Sequence, residues 1–313
     1  MKVHNTLKSL KGIKPVVTTG IFDGVHLGHQ KLLTLLKEEA EKHNTSSLVI
    51  TFWPHPLVYF KPDDAEFRLL MSLDEKAMKL SELGIDHLLV LPFDKDLASL
   101  SAREFVKQII VDGLEAPFLV VGDDHRFGKG QEGTYEFLKE LGDLYGFGLS
   151  ELDTLTNGNS RVSSTFVRSC LNAGDLASAN KLLGYNYYII GQVETGNKIG
   201  SKIGFPTANI KCCDGRKQIP QDGVYVVNVE WNGSLYGGML NIGTRPTIEN
   251  TGRKSIEVHM FEHSGDLYDE KLKVSFIQKL RDEMRFNGLE ELTEQLHTDK
   301  ENSLRVLKEL NIK

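Results

Sequence analysis

Cysteine is scarce in this 313-residue chain. The three present, Cys170, Cys212 and Cys213, are an odd number, two of them adjacent, with no CxxC spacing. That usage points to neither a disulfide framework nor a thiolate zinc site. Long apolar runs are also missing. No stretch approaches the roughly 20 apolar residues of a membrane-spanning helix. The opening segment MKVHNTLKSLKGIK has no apolar core of signal-peptide length. Nor is there a large excess of one charge: 37 Lys+Arg stand against 43 Asp+Glu, a formal net charge of −6. Nothing pulls the whole chain toward nucleic acid or an anionic membrane, so any basic binding surface has to be local. Internal repeats, low-complexity tracts and long linkers are absent too. These absences lead to the expectation of a soluble cytoplasmic protein with neither nucleic acid nor membrane as a partner.

What is present is ordinary globular composition, 40% apolar and 26% charged, in a chain long enough for two domains. The first half alternates apolar strands with amphipathic helices. KPVVTTGIF, SSLVITF, HLLVLPF and PFLVVG read as strands. Between them lie a helix with Leu32, Leu33, Leu36 and Ala40 on one face, SLDEKAMKLSELG and SAREFVKQIIVDGL; TYEFLKELGDLYG follows the last. Ser72 and Glu75 form a capping-box pattern at the start of the second helix, and Gly84 closes it. This β–α alternation predicts a parallel, doubly wound sheet, with ligands beyond the carboxyl ends of its strands. Near residue 184 the pattern changes to short alternating strands, with Asn232-Gly233 as a two-residue hairpin turn. A small antiparallel β-barrel follows, and then a C-terminal helix with Leu289, Leu292 and Leu296 on one stripe. The predicted domains are 1–184 and 185–313, with the boundary between about 182 and 188.

In the first half, TTGIFDGVHLGHQKLL places Asp23, several glycines and the pair His26 and His29 where a strand gives way to a helix. Free N–H groups and the positive dipole end of a helix make such a place an anion site. The dipole contributes only about 0.3–1 kcal/mol, so two imidazoles aimed at a phosphoryl group would add the larger share. RVSSTFVRSCL sets Ser163, Ser164 and Thr165 at a helix start with Arg168 one turn on; alone, the hydroxyls serve equally well as an N-cap. TFWPHP with His55, and the glycine-rich loop VVGDDHRFGKGQEGT, occupy two further strand ends; a rigid loop would explain the first equally well.

In the second half, GSKIGFPTANIK is the most informative stretch. If the chain runs extended after Pro206, Thr207 and Asn209 point to one side at period two. Their neutral oxygens suit a hard cation shared with phosphates, or a turn bonded to its own backbone. SIEVHMF alternates, with Ile256, Val258 and Met260 on one face and Glu257 and His259 on the other. A carboxylate there is either a general base for a hydroxyl or part of an exposed strand face.

Together these stretches resemble the bifunctional prokaryotic FAD synthetases, which join FMN adenylyltransferase to riboflavin kinase. The likeness rests on Gly20-Ile21-Phe22-Asp23-Gly24-Val25-His26-Leu27-Gly28-His29, Pro54-His55-Pro56, the loop over 121–130, and Ser163-Ser164-Thr165 with Arg168. In the second half it rests on Gly204-Phe205-Pro206-Thr207-Ala208-Asn209, then DGVYVV, NIGTRPT, IEVH, GDLY and LRDEMRF. The resemblance implies a nucleotidyltransferase domain followed by a kinase barrel, making FMN and then FAD from riboflavin and ATP with Mg²⁺. It implies that His26 and His29 engage ATP phosphates, helped by Gly20, Phe22, Asp23, Gly24, Gly28, Ser163, Ser164, Thr165 and Arg168. His55, Asp124 and Phe127 would face flavin in the first half, and Arg281 and Phe286 in the second. Thr207 and Asn209, with Gly204 and Pro206, would hold Mg-ATP, and Glu257 would be the base.

Three positions depart from the family pattern: His125 in place of an aromatic, Ser201 in place of an arginine, and Asp269 where glycine is common. They leave open a chain with one active half. A flavin- or nucleotide-binding sensor without turnover is the other alternative; it would need neither a base nor a leaving-group stabiliser.

Overall fold

A computed structural model describes residues 1–122, 126–152, 156–157, 160–195, 200, 203–244, 254–263, 265 and 267–310. Its contacts divide the chain into two compact units, Met1–Ser164 and Thr165–Lys313.

In chain order the first unit contains β1 (Lys2–His4), β2 (Val16–Thr19), α1 (Leu27–Lys42), β3 (Ser47–Trp53), α2 (Pro56–Phe60), α3 (Leu73–Glu82) and β4 (His87–Pro92). Then come α4 (Lys95–Ser99), α5 (Ala102–Phe105), β5 (Phe118–Gly122), α6 (Tyr135–Tyr145), β6 (Gly148–Leu152) and a two-stranded ribbon, β7 (Thr156–Asn157) with β8 (Ser160–Arg161). The sheet is parallel in the order β1-β4-β3-β2-β5-β6. The chain moves from β2 outward to β3 and β4, then crosses back to lay β5 on the other side of β2. The carboxyl end of β2 therefore lies at the switch point, where such sheets bind ligands.

Alternate strand residues build the core. Val17, Leu48, Ile50, Leu89, Leu119 and Val121 meet Phe105, Val106, Ile109, Leu138 and Leu141. On α1 the buried residues include Leu32, Leu33, Leu36 and Ala40, as the periodicity predicts. The Ser72–Glu75 capping box forms, and a second joins Ser101 to Glu104. The helix predicted over SAREFVKQIIVDGL is α5 running into a wider π-helical segment, Val106–Val111.

The second unit contains α7 (Ser164–Asn172, whose first residue ends the first unit) and α8 (Leu176–Leu183). The strands are β9 (Tyr188–Glu194), β10 (Ala208–Cys212), β11 (Gly223–Trp231), β12 (Ser234–Thr244), β13 (Lys254–Met260) and β14 (Lys271–Arg281), followed by α9 (Leu289–Glu309). The six strands close a barrel in the order β10-β13-β12-β11-β14-β9, sealed by β9 pairing with β10. Asn232 and Gly233 both take positive φ, 48° and 76°, and join Trp231 directly to Ser234, the tight hairpin the sequence predicts.

Helix α8 belongs with this unit: the Asn180 side chain donates to the Phe276 carbonyl and accepts from the Tyr187 N–H. The C-terminal helix differs from expectation. Leu289 is 60% exposed, while Leu292 and Leu296 are half-buried and line the barrel cavity, and the fully buried residues are Asp299, Ser303, Val306 and Leu307. Val306 and Leu307 pack on Phe205, Val226, Met239 and Phe261. Leu296 of the predicted stripe joins this cluster, but the leucine count missed the rest of the face because half of it is polar, with Asp299 buried against an arginine from β14. Among the described residues no helix is long and apolar enough to cross a membrane.

Candidate functional site

Two constellations emerge, one in each unit. The first is the loop between β2 and α1. Its backbone is contorted: Phe22, Gly24 and Val25 have φ of 51°, 82° and 37°. Positive φ costs a β-branched residue such as Val25 real strain, which the surrounding packing has to hold in place. His26 is the N-cap of α1, and its Nδ1 accepts the His29 N–H at 3.3 Å. A neutral His26 therefore carries its proton on Nε2. The rings of His26 and His29 stack with centroids 3.8 Å apart and planes 12° from parallel. Gly28 permits this fold-back, because a Cβ there would lie 3.2 Å from the His26 Nδ1.

His29 also packs on Phe22, at 5.0 Å between centroids. Its Nδ1 is buried and has no partner among the described residues. Burial, then the positive fields of His26 and Lys76, hold its pKa well below the ordinary histidine value. His29 is thus held uncharged beside His26 at a helix N-terminus, a suitable donor set for anionic oxygens that bring their own charge.

Asp23 shapes this loop. Its buried carboxylate accepts the N–H groups of Leu70 and Met71, at 3.1 and 3.0 Å, just before α3. Its carbonyl accepts the Ser164 hydroxyl at 2.7 Å. Ser164 opens α7, which carries Thr165 and Arg168; Ser163 immediately precedes it. His55 caps α2, its Nδ1 accepting the Leu57 N–H, with its ring 4.9 Å from Phe67. Phe127, half-buried, packs on Phe105 and over Gly133 at the edge of the core. Asp124 and His125 lie outside the described residues.

The second constellation sits in the barrel. Register places Asn209 of β10 and Asn241 of β12 directly opposite Glu257 of β13, one on each side. The Thr207 hydroxyl stands 3.5 Å from the Glu257 carboxylate. Gly204 takes φ 84° ahead of Phe205 and Pro206. The Pro206 carbonyl accepts a hydrogen bond from the His259 Nδ1 at 2.7 Å. Since a carbonyl only accepts, this nitrogen carries the proton. Burial lowers the pKa of His259, which agrees with a neutral ring.

Glu257, Thr207 and His259 line one cavity of about 280 Å³, together with Asn241, Arg281, Glu283 and Phe286. The Arg281 guanidinium holds Asp299 of α9 through three contacts of 2.7–3.2 Å and stacks 5.9 Å from Phe286. Its charge is already matched, so what it gives the cavity is a fixed wall.

A family profile described as FAD synthetase matches residues 10–166, and one described as riboflavin kinase matches residues 183–307. A Pseudomonas fluorescens protein named bifunctional riboflavin kinase/FMN adenylyltransferase is 42% identical over 95% of this chain and 94% of its own length. The chain belongs to this bifunctional family.

A Bacillus subtilis (strain 168) protein of the same name is 37% identical over 98% of the chain and 96% of its own length. A crystal structure described as a macrolide-efflux protein from Streptococcus pneumoniae superposes with a TM-score of 0.86 at 31% identity, covering 96% of this chain and 98% of that one. Asp269, where the resemblance leads to the expectation of a glycine, holds φ 62°, the left-handed backbone that a glycine provides. Aspartate tolerates that region, so the turn survives the exchange. Ser201 lies outside the described residues. Sequence reasoning missed Asn241 and Glu283; Asn241 meets Glu257 through the β12–β13 register, which the Asn232-Gly233 hairpin does not fix. It also missed Lys76, which reads as an ordinary helix lysine yet is only 1% exposed.

Proposed function

We propose that the chain is a bifunctional enzyme of flavin synthesis, phosphorylating riboflavin to FMN with ATP in residues 185–313 and adenylylating FMN to FAD in residues 1–184. The meeting of Thr207 and Glu257 at one cavity, with Asn209 set opposite Glu257 by the β10–β13 register, carries the kinase half of this reading. Glu257 accepts the proton of the riboflavin 5′-hydroxyl as its oxygen attacks the γ-phosphorus of ATP. Arg281 and Phe286 form the flavin wall, and the loop with Gly204 and Pro206 carries the nucleotide side.

Thr207 and Asn209 offer neutral oxygens beside a carboxylate. No trio of His, Cys, Asp or Glu among the described residues is placed to hold a metal alone. That donor set fits a Mg²⁺ ion shared with ATP phosphates, which when bound neutralises phosphate charge. His259 keeps the Pro206 carbonyl, and with it Thr207, in place.

In the N-terminal half the FMN phosphate attacks the α-phosphorus of ATP and pyrophosphate leaves. The nucleophile is already an anion, so the site needs donors rather than a base. His26 and His29 serve the departing pyrophosphate, on a loop built from Gly20, Phe22, Asp23, Gly24 and Gly28. Ser163, Ser164, Thr165 and Arg168 hold phosphate oxygens, and His55, Asp124 and Phe127 lie on the flavin side. The reading includes a cytoplasmic location, with riboflavin, FMN, FAD and ATP as partners and neither nucleic acid nor membrane, in keeping with the net charge of −6. Incubation with riboflavin, ATP and Mg²⁺ followed by flavin separation tests it: FMN and then FAD should accumulate with ADP and pyrophosphate. Formation of FMN alone would leave the kinase reading standing and overturn the adenylyltransferase one.

A further inference from the structure

Lys76 sits on α3 one turn before buried Leu80, a position where the helix turns its apolar stripe inward. It is 1% exposed. Its ammonium donates to the Thr51 hydroxyl at 3.2 Å and lies 5.7 Å from the centroid of the Trp53 ring. The Thr51 hydroxyl in turn donates to the carbonyl of Ile21, at 3.2 Å. A two-step relay therefore runs from a buried cation to the loop that presents His26 and His29. Asp23, two residues along that loop, attracts the ammonium, and the ammonium's field reaches His29. Burying a charge opposes folding, and an apolar side chain of similar size is commonly as stable or more so. The outlay makes sense if the charge serves the site. Desolvation, opposed by Asp23, lowers the Lys76 pKa to about 8.

We propose that Lys76 is a positioning residue for adenylyl transfer: through Thr51 and the Ile21 carbonyl, its buried ammonium holds the loop over residues 20–26 in the shape that presents the two histidines. The inference rests on the adenylyltransferase reading above. The two fail differently: wild-type protein that makes no FAD from supplied FMN overturns the reading, whereas an active wild type with equally active variants overturns only the role of Lys76.

The test uses the full chain and the variants Lys76→Met and Thr51→Val. In each, adenylylation of supplied FMN, phosphorylation of riboflavin and thermal unfolding are measured. Lys76→Met is expected to lower kcat for adenylylation about tenfold to a hundredfold, as small misplacements of catalytic groups do. KM for FMN and riboflavin kinase turnover should stay within about twofold. The melting temperature should hold or rise. Thr51→Val, which keeps the ammonium and cuts the relay, should give a smaller loss of kcat in the same direction. If Lys76→Met unfolds the first unit, Thr51→Val decides by itself. Unchanged adenylylation in Thr51→Val, or in a folded Lys76→Met, overturns the proposal.

Discussion

The two halves handle the same co-substrate with opposite chemistry. The first half offers a bent loop at a sheet's switch point, where stacked imidazoles meet a helix N-terminus and a lysine is buried nearby. The second relies on barrel register, which sets a carboxylate between two asparagines with a threonine hydroxyl nearby. On the proposed reading the difference follows from the nucleophile. A phosphate arrives charged and asks only for stabilisation of the leaving group; a hydroxyl must first lose a proton. Donors therefore gather in one site and a carboxylate stands in the other.

The strongest way to break this contrast is to remove the proposed base. Glu257→Gln keeps the shape of the side chain and should lower riboflavin phosphorylation by about 10²–10⁴-fold. Adenylylation of supplied FMN should continue. Turnover of riboflavin at the wild-type rate would remove Glu257 from the role.

His26→Ala is the mirror image. It should cut FAD formation by about 10²–10³-fold, the scale seen when one donor to a developing oxyanion is lost. FMN should accumulate. Loss of both products in a folded protein would show that the halves do not divide the work in this way.

A smaller effect would sharpen the picture of the barrel site. His259→Leu deletes the donor to the Pro206 carbonyl, and the KM of the kinase for ATP should rise about tenfold, the equivalent of one lost hydrogen bond. His259→Asn, which can still donate, should recover part of it. Equal KM values in both variants would leave the loop held by other contacts.

The smallest effect concerns stability and belongs to the first half alone. Unfolded Lys76 titrates near 10.5 and the folded residue near 8. Asp23 from the loop and His29 from α1 are the titratable groups acting with it, while β3 contributes Thr51 and Trp53. Below about pH 8 both states are protonated, and the cost of burying the charge is fully present. Between about 8 and 10.5 the unfolded chain binds the extra proton, so stability rises with pH. The two tryptophans, Trp53 and Trp231, report on separate halves. Urea titrations of Trp231→Phe protein, followed by Trp53 fluorescence, should show the midpoint moving up across that window. Adding Lys76→Met should flatten the rise; a rise of the same size would assign it to another group.

Much of this was legible in the chain because the signals are local. Ser72 and Glu75 lie three residues apart and form the box they spell. Asn232-Gly233 turns where two positive φ values are needed. The alternation in SIEVHMF places Glu257 and His259 on one face, although His259 proves buried rather than exposed. The misses were partners distant in sequence. Leu289 continues a leucine stripe and is exposed, because α9 docks through Asp299, and the arginine that neutralises Asp299 comes from β14. Lys76 falls in register with Leu80 on the inward stripe of α3, but no local signal says that its ammonium meets Thr51 and Trp53 of β3.

The sequence by itself determined the strands, caps, turns and the order of its motifs, because hydrogen bonding and side-chain periodicity act over a few residues. Only the tertiary structure decided which polar groups lost their water and which faced one another. Desolvation and charge pairing depend on what distant segments bring to the same place, and no short stretch contains that information.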